Sequence, residues 1–159
     1  MKVIKPPDPL TNLKDYSVFL AGSIEMGAAE DWQKDTERYL KPYDCTVLNP
    51  RRDDWDSSWA QTIHDPNFVE QVEWELKGLH DASSIMLYFA PGTQSPISLL
   101  EFGLYARYSE KLRVCCPDGF WRKGNVDIVC REYRVMQFPS LILLMERIGA
   151  EARNSALIN

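Results

Sequence analysis

Glu101 and Glu75 are the residues of this chain whose chemistry disagrees most with their position. Ile97, Glu101, Leu104 and Tyr108 recur at i, i+4, i+7 and i+11, which places them on one helical stripe whose other members are apolar or aromatic. A carboxylate there needs a reason. It falls within two turns of the helix start, where the dipole favours its charged form while burial opposes it. Glu75 repeats the pattern among Val72, Leu76 and Leu79, whereas Glu70 and Glu73 read as solvated. Two carboxylates aimed into one crevice suit transfer at an anomeric carbon, one attacking and the other handling protons or orientation. The plainer readings are a half-exposed or Arg-paired Glu101 at the edge of its stripe and an interfacial Glu75 partnered by Arg51 or Arg52.

Other chemistries find little support. His64 and His80 form no recognised metal-ligand spacing with the cysteines, so no metal and no cofactor is expected. Gly22, Ser23 and Gly27 do not make a GxGxxG fingerprint, and neither a GxxxxGK[ST] loop nor a GxSxG elbow occurs. Trp55, Trp59 and Trp121 fall in loops where they could stack on a planar base or simply pack.

The chain that must position these groups has 159 residues, a net charge of -5, 45% hydrophobic and 26% charged residues. A chain of this length buries about 68–70% of its unfolded surface, so a core forms without disulfide or metal staples. An acidic chain with 18 Lys+Arg lacks the basic face that phosphate-backbone binding needs, which argues against a nucleic acid polymer as partner. The N-terminal stretch has no apolar signal-peptide core, and no apolar run approaches the roughly 20 residues of a membrane span, so a cytoplasmic protein with no membrane partner is expected. Cys45, Cys115, Cys116 and Cys130 contain no CxxC pair and read as buried reduced thiols.

The elements alternate. Residues 1–14 read as a loose tail and 15–159 as one domain. Val18 to Ala21 form a short strand, "AAEDWQKDTERYLK" a helix, and "CTVLNP" a second strand stopped by Pro50. A long polar loop, "RRDDWDSSWAQTIHDP", leads to a helix capped by Asn67, and Ile85 to Ala90 reads as a strand covered on both faces. Ser95 and Pro96 open a third helix through "ISLLEFGLYARYSEK", "LRVCCP" is a strand, Asn125 caps a short helix, and "RVMQF" precedes a final amphipathic helix. This alternation predicts an α/β fold of Rossmann-like type, three layers α/β/α around a five-stranded, mainly parallel sheet. Ligands of such sheets bind beyond the carboxyl ends of the strands, at the switch point. "AGSIEMG", "NPRRDDW", "APGTQSP" and "PDGFWRKGN" are therefore expected to converge.

The ordered blocks "VFLAGSI", "NPRRDDW", "VEWELKGLHDASSIMLYF", "SPISLLEFGLYA" and "WRKGNVDIVC" resemble the nucleoside 2-deoxyribosyltransferase family over about Tyr16 to Phe138. The resemblance implies a flavodoxin-like domain in which the glutamate matching Glu101 attacks C1′ of a 2′-deoxynucleoside and passes the sugar to another base. Glu75 matches the second carboxylate, an Asp in better-known members. Phe19 matches a first-strand aromatic that is a Tyr there. Asn125, with Asp127 two residues on, matches an asparagine donated across a subunit interface, which implies a homo-oligomer with a shared site.

Where those members carry Asp to bind the sugar 5′-hydroxyl, this chain has Ser95, as the related nucleoside 5′-monophosphate N-glycosidases do. Ser95, Gly22 and Ser23 are then expected to hold a phosphate, unless Ser95 is only a helix cap. Trp55 or Trp59 is expected to stack a second base whose edge meets Asp53 or Asp54. The partners implied are small molecules: nucleosides, nucleobases or nucleoside monophosphates. Deoxyribosyl transfer is the leading expectation, N-glycoside hydrolysis the second, and a non-catalytic nucleotide-binding module the third.

Overall fold

A computed structural model describes residues 1–24 and 31–158. Strand β1 spans Lys2–Ile4, β2 Ser17–Gly22, β3 Thr46–Leu48, β4 Ser84–Tyr88, β5 Leu112–Cys115 and β6 Met136–Phe138. Helices α1 (Trp32–Leu40), α2 (Pro66–Asp81), α3 (Pro96–Tyr105), α4 (Lys123–Tyr133) and α5 (Leu141–Ile158) connect or follow them. Gly27 and the expected helical start at Ala28 to Glu30 lie outside the described residues.

The sheet is parallel throughout, in the order β1-β3-β2-β4-β5-β6. Its central strands are apolar on both faces because each face is covered. Phe19 and Ala21 of β2 join Trp74, Leu79, Phe102, Val126 and Cys130 in the core under α2, α3 and α4. The alternate residues Val18 and Leu20 join Trp32, Leu40, Leu144 and Ile148 under α1 and α5. This is the three-layer α/β/α arrangement, and setting β1 aside leaves the flavodoxin-like strand order with its switch point between β2 and β4.

Three local expectations are corrected. The segment expected as a loose tail contributes a sixth strand, with Lys2, Val3 and Ile4 in register with Thr46, Val47 and Leu48. Its pattern was too short to show alternation, and pairing along the β3 edge supplies what the periodicity could not. Asp65, rather than Asn67, caps α2, its carboxylate accepting from the amides of Asn67 and Phe68, with Pro66 in the first turn. Asn125 lies inside α4, which starts at Lys123. All four cysteines are buried and unpaired.

At the end of the sheet opposite the switch-point loops, Glu151 of α5 clamps the layers together. Its Oε2 accepts from Tyr16 Oη and Ser84 Oγ, both at 2.9 Å, and its Oε1 from Arg113 Nε at 2.8 Å and Arg147 Nε at 2.7 Å. Among the described residues, no helix is long and apolar enough to cross a membrane.

Candidate active site

The loops after β2, β4 and β5 are tied together beyond the carboxyl ends of the strands. Gly22 makes the approach possible: at φ +142°, an added Cβ would sit 2.2 Å from the Tyr88 carbonyl oxygen. That turn lets Ser23 N donate to the same carbonyl at 3.0 Å and drops the Ser23 hydroxyl into a buried cluster. Ser23 Oγ lies 2.6 Å from Ser95 Oγ and 2.9 Å from Thr93 Oγ1, and it accepts from the Ala90 amide at 3.0 Å. Ser95 holds the capping position of α3 at φ 46°, yet its hydroxyl makes no capping bond and turns to Ser23 and Thr93 instead. On the other side, Gly92 N donates to Gly119 O and Trp121 Nε1 to Gln94 O, both at 3.0 Å, joining the β4 and β5 loops.

The fourth segment, after β3, connects to α2. Gln71 Nε2 donates to Pro50 O at 3.0 Å and to Glu75 Oε1 at 2.7 Å. Glu75 therefore takes its hydrogen bond from its own helix, one turn back. Of the two Arg partners considered for it, Arg52 bonds Asp54 and Glu70 while its plane covers Trp59, and Arg51 lies 3.9 Å from Asp31.

Glu101 is buried, 9% exposed, and faces inward beside Ser98 and Phe102. The apolar members of the stripe that made it conspicuous face outward, Ile97 59%, Leu104 49% and Tyr108 55% exposed, and Leu100 beside them is 60% exposed. The helix is turned so that Phe102 packs edge-on against Phe89, ring centroids 5.9 Å apart, leaving Glu101 at the border between the core face and an exposed apolar face. Burial first, and then the negative charge of Glu75, pushes the Glu101 carboxyl up to about 8. Burial likewise pushes Glu75 up to about 7, opposed by the hydrogen bond from Gln71. The two acids thus sit within electrostatic reach of each other on adjacent helices, with proton affinities near neutrality.

The remaining expected residues divide. Phe19 has no exposed surface: its ring lies 6.2 Å from that of Trp74, and a Cβ on Gly78 would come within 2.7 Å of it, so it is floor rather than wall. Asp53 and Asp54 are exposed and paired with Lys5 and Arg52 at 2.7 and 2.8 Å. Trp55 meets Trp59 edge-on at 5.2 Å, and its buried indole N–H has no partner among the described residues. Asp127 accepts from Lys123 at 2.8 Å and Gln137 at 2.5 Å, in a separate cleft beyond β5 and β6. Asn125 is exposed, and its side chain makes no hydrogen bond among the described residues.

Two polar groups of this region, Thr93 and Gln71, are not among the residues expected from the sequence. Thr93 sat in a loop among other small polar residues. Gln71 was legible as an i, i+4 partner of Glu75, a spacing at which helical side chains meet.

A family model described as nucleoside 2-deoxyribosyltransferase like matches residues 15–120, more than half of the chain. No curated protein matches it.

Proposed function

The chain belongs to the nucleoside 2-deoxyribosyltransferase-like family, and from that premise we propose that it breaks and remakes the N-glycosidic bond of 2′-deoxynucleosides, moving deoxyribose from one base to another. The observation that carries this reading is a pair of mutually repelling carboxylates on α3 and α2, Glu101 buried and Glu75 half-buried. A binding module has no use for such a pair, because uncompensated buried acids cost stability.

The reactive form of the one-proton pair is the minor one, with the hydrogen on Glu75: ionised Glu101 then attacks C1′ as the bond to the base loosens, through a transition state with oxocarbenium character. The bonding pair of the C1′–N bond leaves with the base, and a proton from Glu75 neutralises the departing nitrogen. The result is a glycosyl ester on Glu101. A second base attacks C1′ in turn, its proton returns to Glu75, and Glu101 is released as carboxylate.

A second reading, hydrolysis of nucleoside 5′-monophosphates, is favoured by the hydroxyl cluster of Ser23, Thr93 and Ser95 at the start of α3. Hydroxyls at a helix N-terminus suit a phosphate where a carboxylate would repel it.

The partner we propose is a second copy of this chain. The outward apolar face of Ile97, Leu100, Leu104 and Tyr108 borders Glu101, so a copy packed there would close the site, and Asn125, which is exposed, would be donated between copies.

The deciding experiment incubates the protein with 2′-deoxyinosine or its 5′-monophosphate, with and without adenine, and resolves the products by chromatography. Deoxyadenosine formed only with adenine establishes transfer. Hypoxanthine released without acceptor, from the monophosphate alone, establishes the second reading, and no base release from any substrate overturns both.

A further inference from the structure

The hydrogen bonds of Gln71 assign a location to a proton. Gln71 is 4% exposed, and its Nε2 carries two hydrogens, one given to Pro50 O at 3.0 Å and the other to Glu75 Oε1 at 2.7 Å. The Pro50 carbonyl can only accept, so the amide cannot be turned over without setting oxygen against oxygen. Its own Oε1 is buried without a partner, a cost the side chain accepts to keep Nε2 in place.

We propose that Gln71 is a positioning residue that reserves Oε1 of Glu75 and thereby leaves Oε2 as the oxygen that carries and releases the proton, an inference that rests on reading Glu75 as the acid of the reaction above. A neutral carboxyl whose carbonyl oxygen accepts from an amide holds its hydrogen on the other oxygen. When the C1′–N bond breaks, the base nitrogen takes that hydrogen from Oε2, and the carboxylate left behind keeps the Gln71 bond at Oε1. Because Pro50 fixes Gln71, the loop after β3 sets the orientation of an acid on α2. Among the described residues the charged group facing Glu75 is Glu101 of α3; Arg52 of the β3 loop is given to Asp54 and Glu70.

The test is Gln71→Met, which keeps the volume and removes both donors, compared with wild type and with Glu75→Gln in each background. The expected result is a loss of kcat of about tenfold or more with little change in KM, and an upward move of the pH optimum, because Glu75 loses the bond that favours its charged form. In the Glu75→Gln background the same change should cost nothing further. Carbon-detected titration of the Glu75 carboxyl, which needs no turnover, should show its midpoint rising in Gln71→Met. Unchanged kcat and optimum in an active enzyme, or an unmoved Glu75 titration in a folded variant, overturn the inference while leaving the proposed function intact. Absence of base release by wild type overturns the function instead.

Discussion

Ser23 and Ser95, 72 residues apart in the chain, meet hydroxyl to hydroxyl at 2.6 Å where β2 ends and α3 begins. The contact exists because Gly22 lets the backbone pass under the Tyr88 carbonyl. It gives Ser95 something to do other than cap its helix. Ser95→Asp is expected to lower turnover of a 5′-monophosphate at least tenfold more than turnover of the nucleoside, since the new carboxylate repels phosphate and accepts from a 5′-hydroxyl. Equal losses in paired kinetic assays would return Ser95 to a packing role.

Glu101→Gln is expected to reduce turnover by about a thousandfold or more, as loss of an attacking carboxylate does. It should also stabilise the fold. Between the ordinary carboxyl value of 4.5 and about 8, the unfolded chain has released a proton that folded Glu101 retains, so its ionisation erodes stability as pH rises through that window. Removing the acid removes the erosion: the variant should exceed wild type by on the order of 2 kcal/mol at pH 8 and much less at pH 5. Thermal melts at the two values check the sign.

The pH dependence of kcat/KM should be bell-shaped. Productive attack needs one proton on the pair, which is doubly protonated below about 7 and doubly ionised above about 8. A profile flat from pH 5 to 9 would mean that the pair does not share the work.

Two inactive variants should rescue each other if copies exchange Asn125. In a random mixture of Glu101→Gln and Asn125→Ala chains, half of the dimers have one intact site, so about a quarter of wild-type activity should return. Leu100→Glu on the exposed face should instead yield monomers by light scattering and lose activity with them.

Glu151→Ala should lower stability by about 3 kcal/mol, because Arg113, 8% exposed, is left charged with its carboxylate partner gone. Catalysis should be unaffected in the surviving folded fraction. Burial would raise the Glu151 carboxyl, but Arg113 and Arg147 hold it below its usual value. Its contribution is therefore present at neutral pH and lost as pH falls through that lowered value.

Much of the fold was legible because α/β alternation is written in residue periodicity. The switch-point strands are continuous apolar runs, Val18 to Ala21 and Ile85 to Phe89, a pattern that a sheet covered on both faces demands. Lys2–Ile4 was not legible, since three residues cannot show a period and their pairing depends on the edge of β3. Glu101 was singled out for a reason the structure reverses. A one-dimensional stripe cannot tell which side of a helix meets the sheet, and here the apolar side faces out and the carboxylate in. The ion pair of Asp53 was not legible, because its partner Lys5 lies 48 residues away.

The first ten residues act as a splint. Lys5 grips Asp53 in the loop after β3, the Asp8 carbonyl accepts from Trp74 Nε1 at 2.8 Å, and Leu10 reaches the Gly78 turn. Both ends of that splint fasten to the parts that hold Gln71 and Glu75 in line, and all of it precedes residue 15, where the family match begins. The unit that aligns the acid is thus longer than the unit that kinship recognises. A chain cut at residue 15 would keep its central strands paired and its helices wound, and would fail first in the alignment of a single carboxyl group.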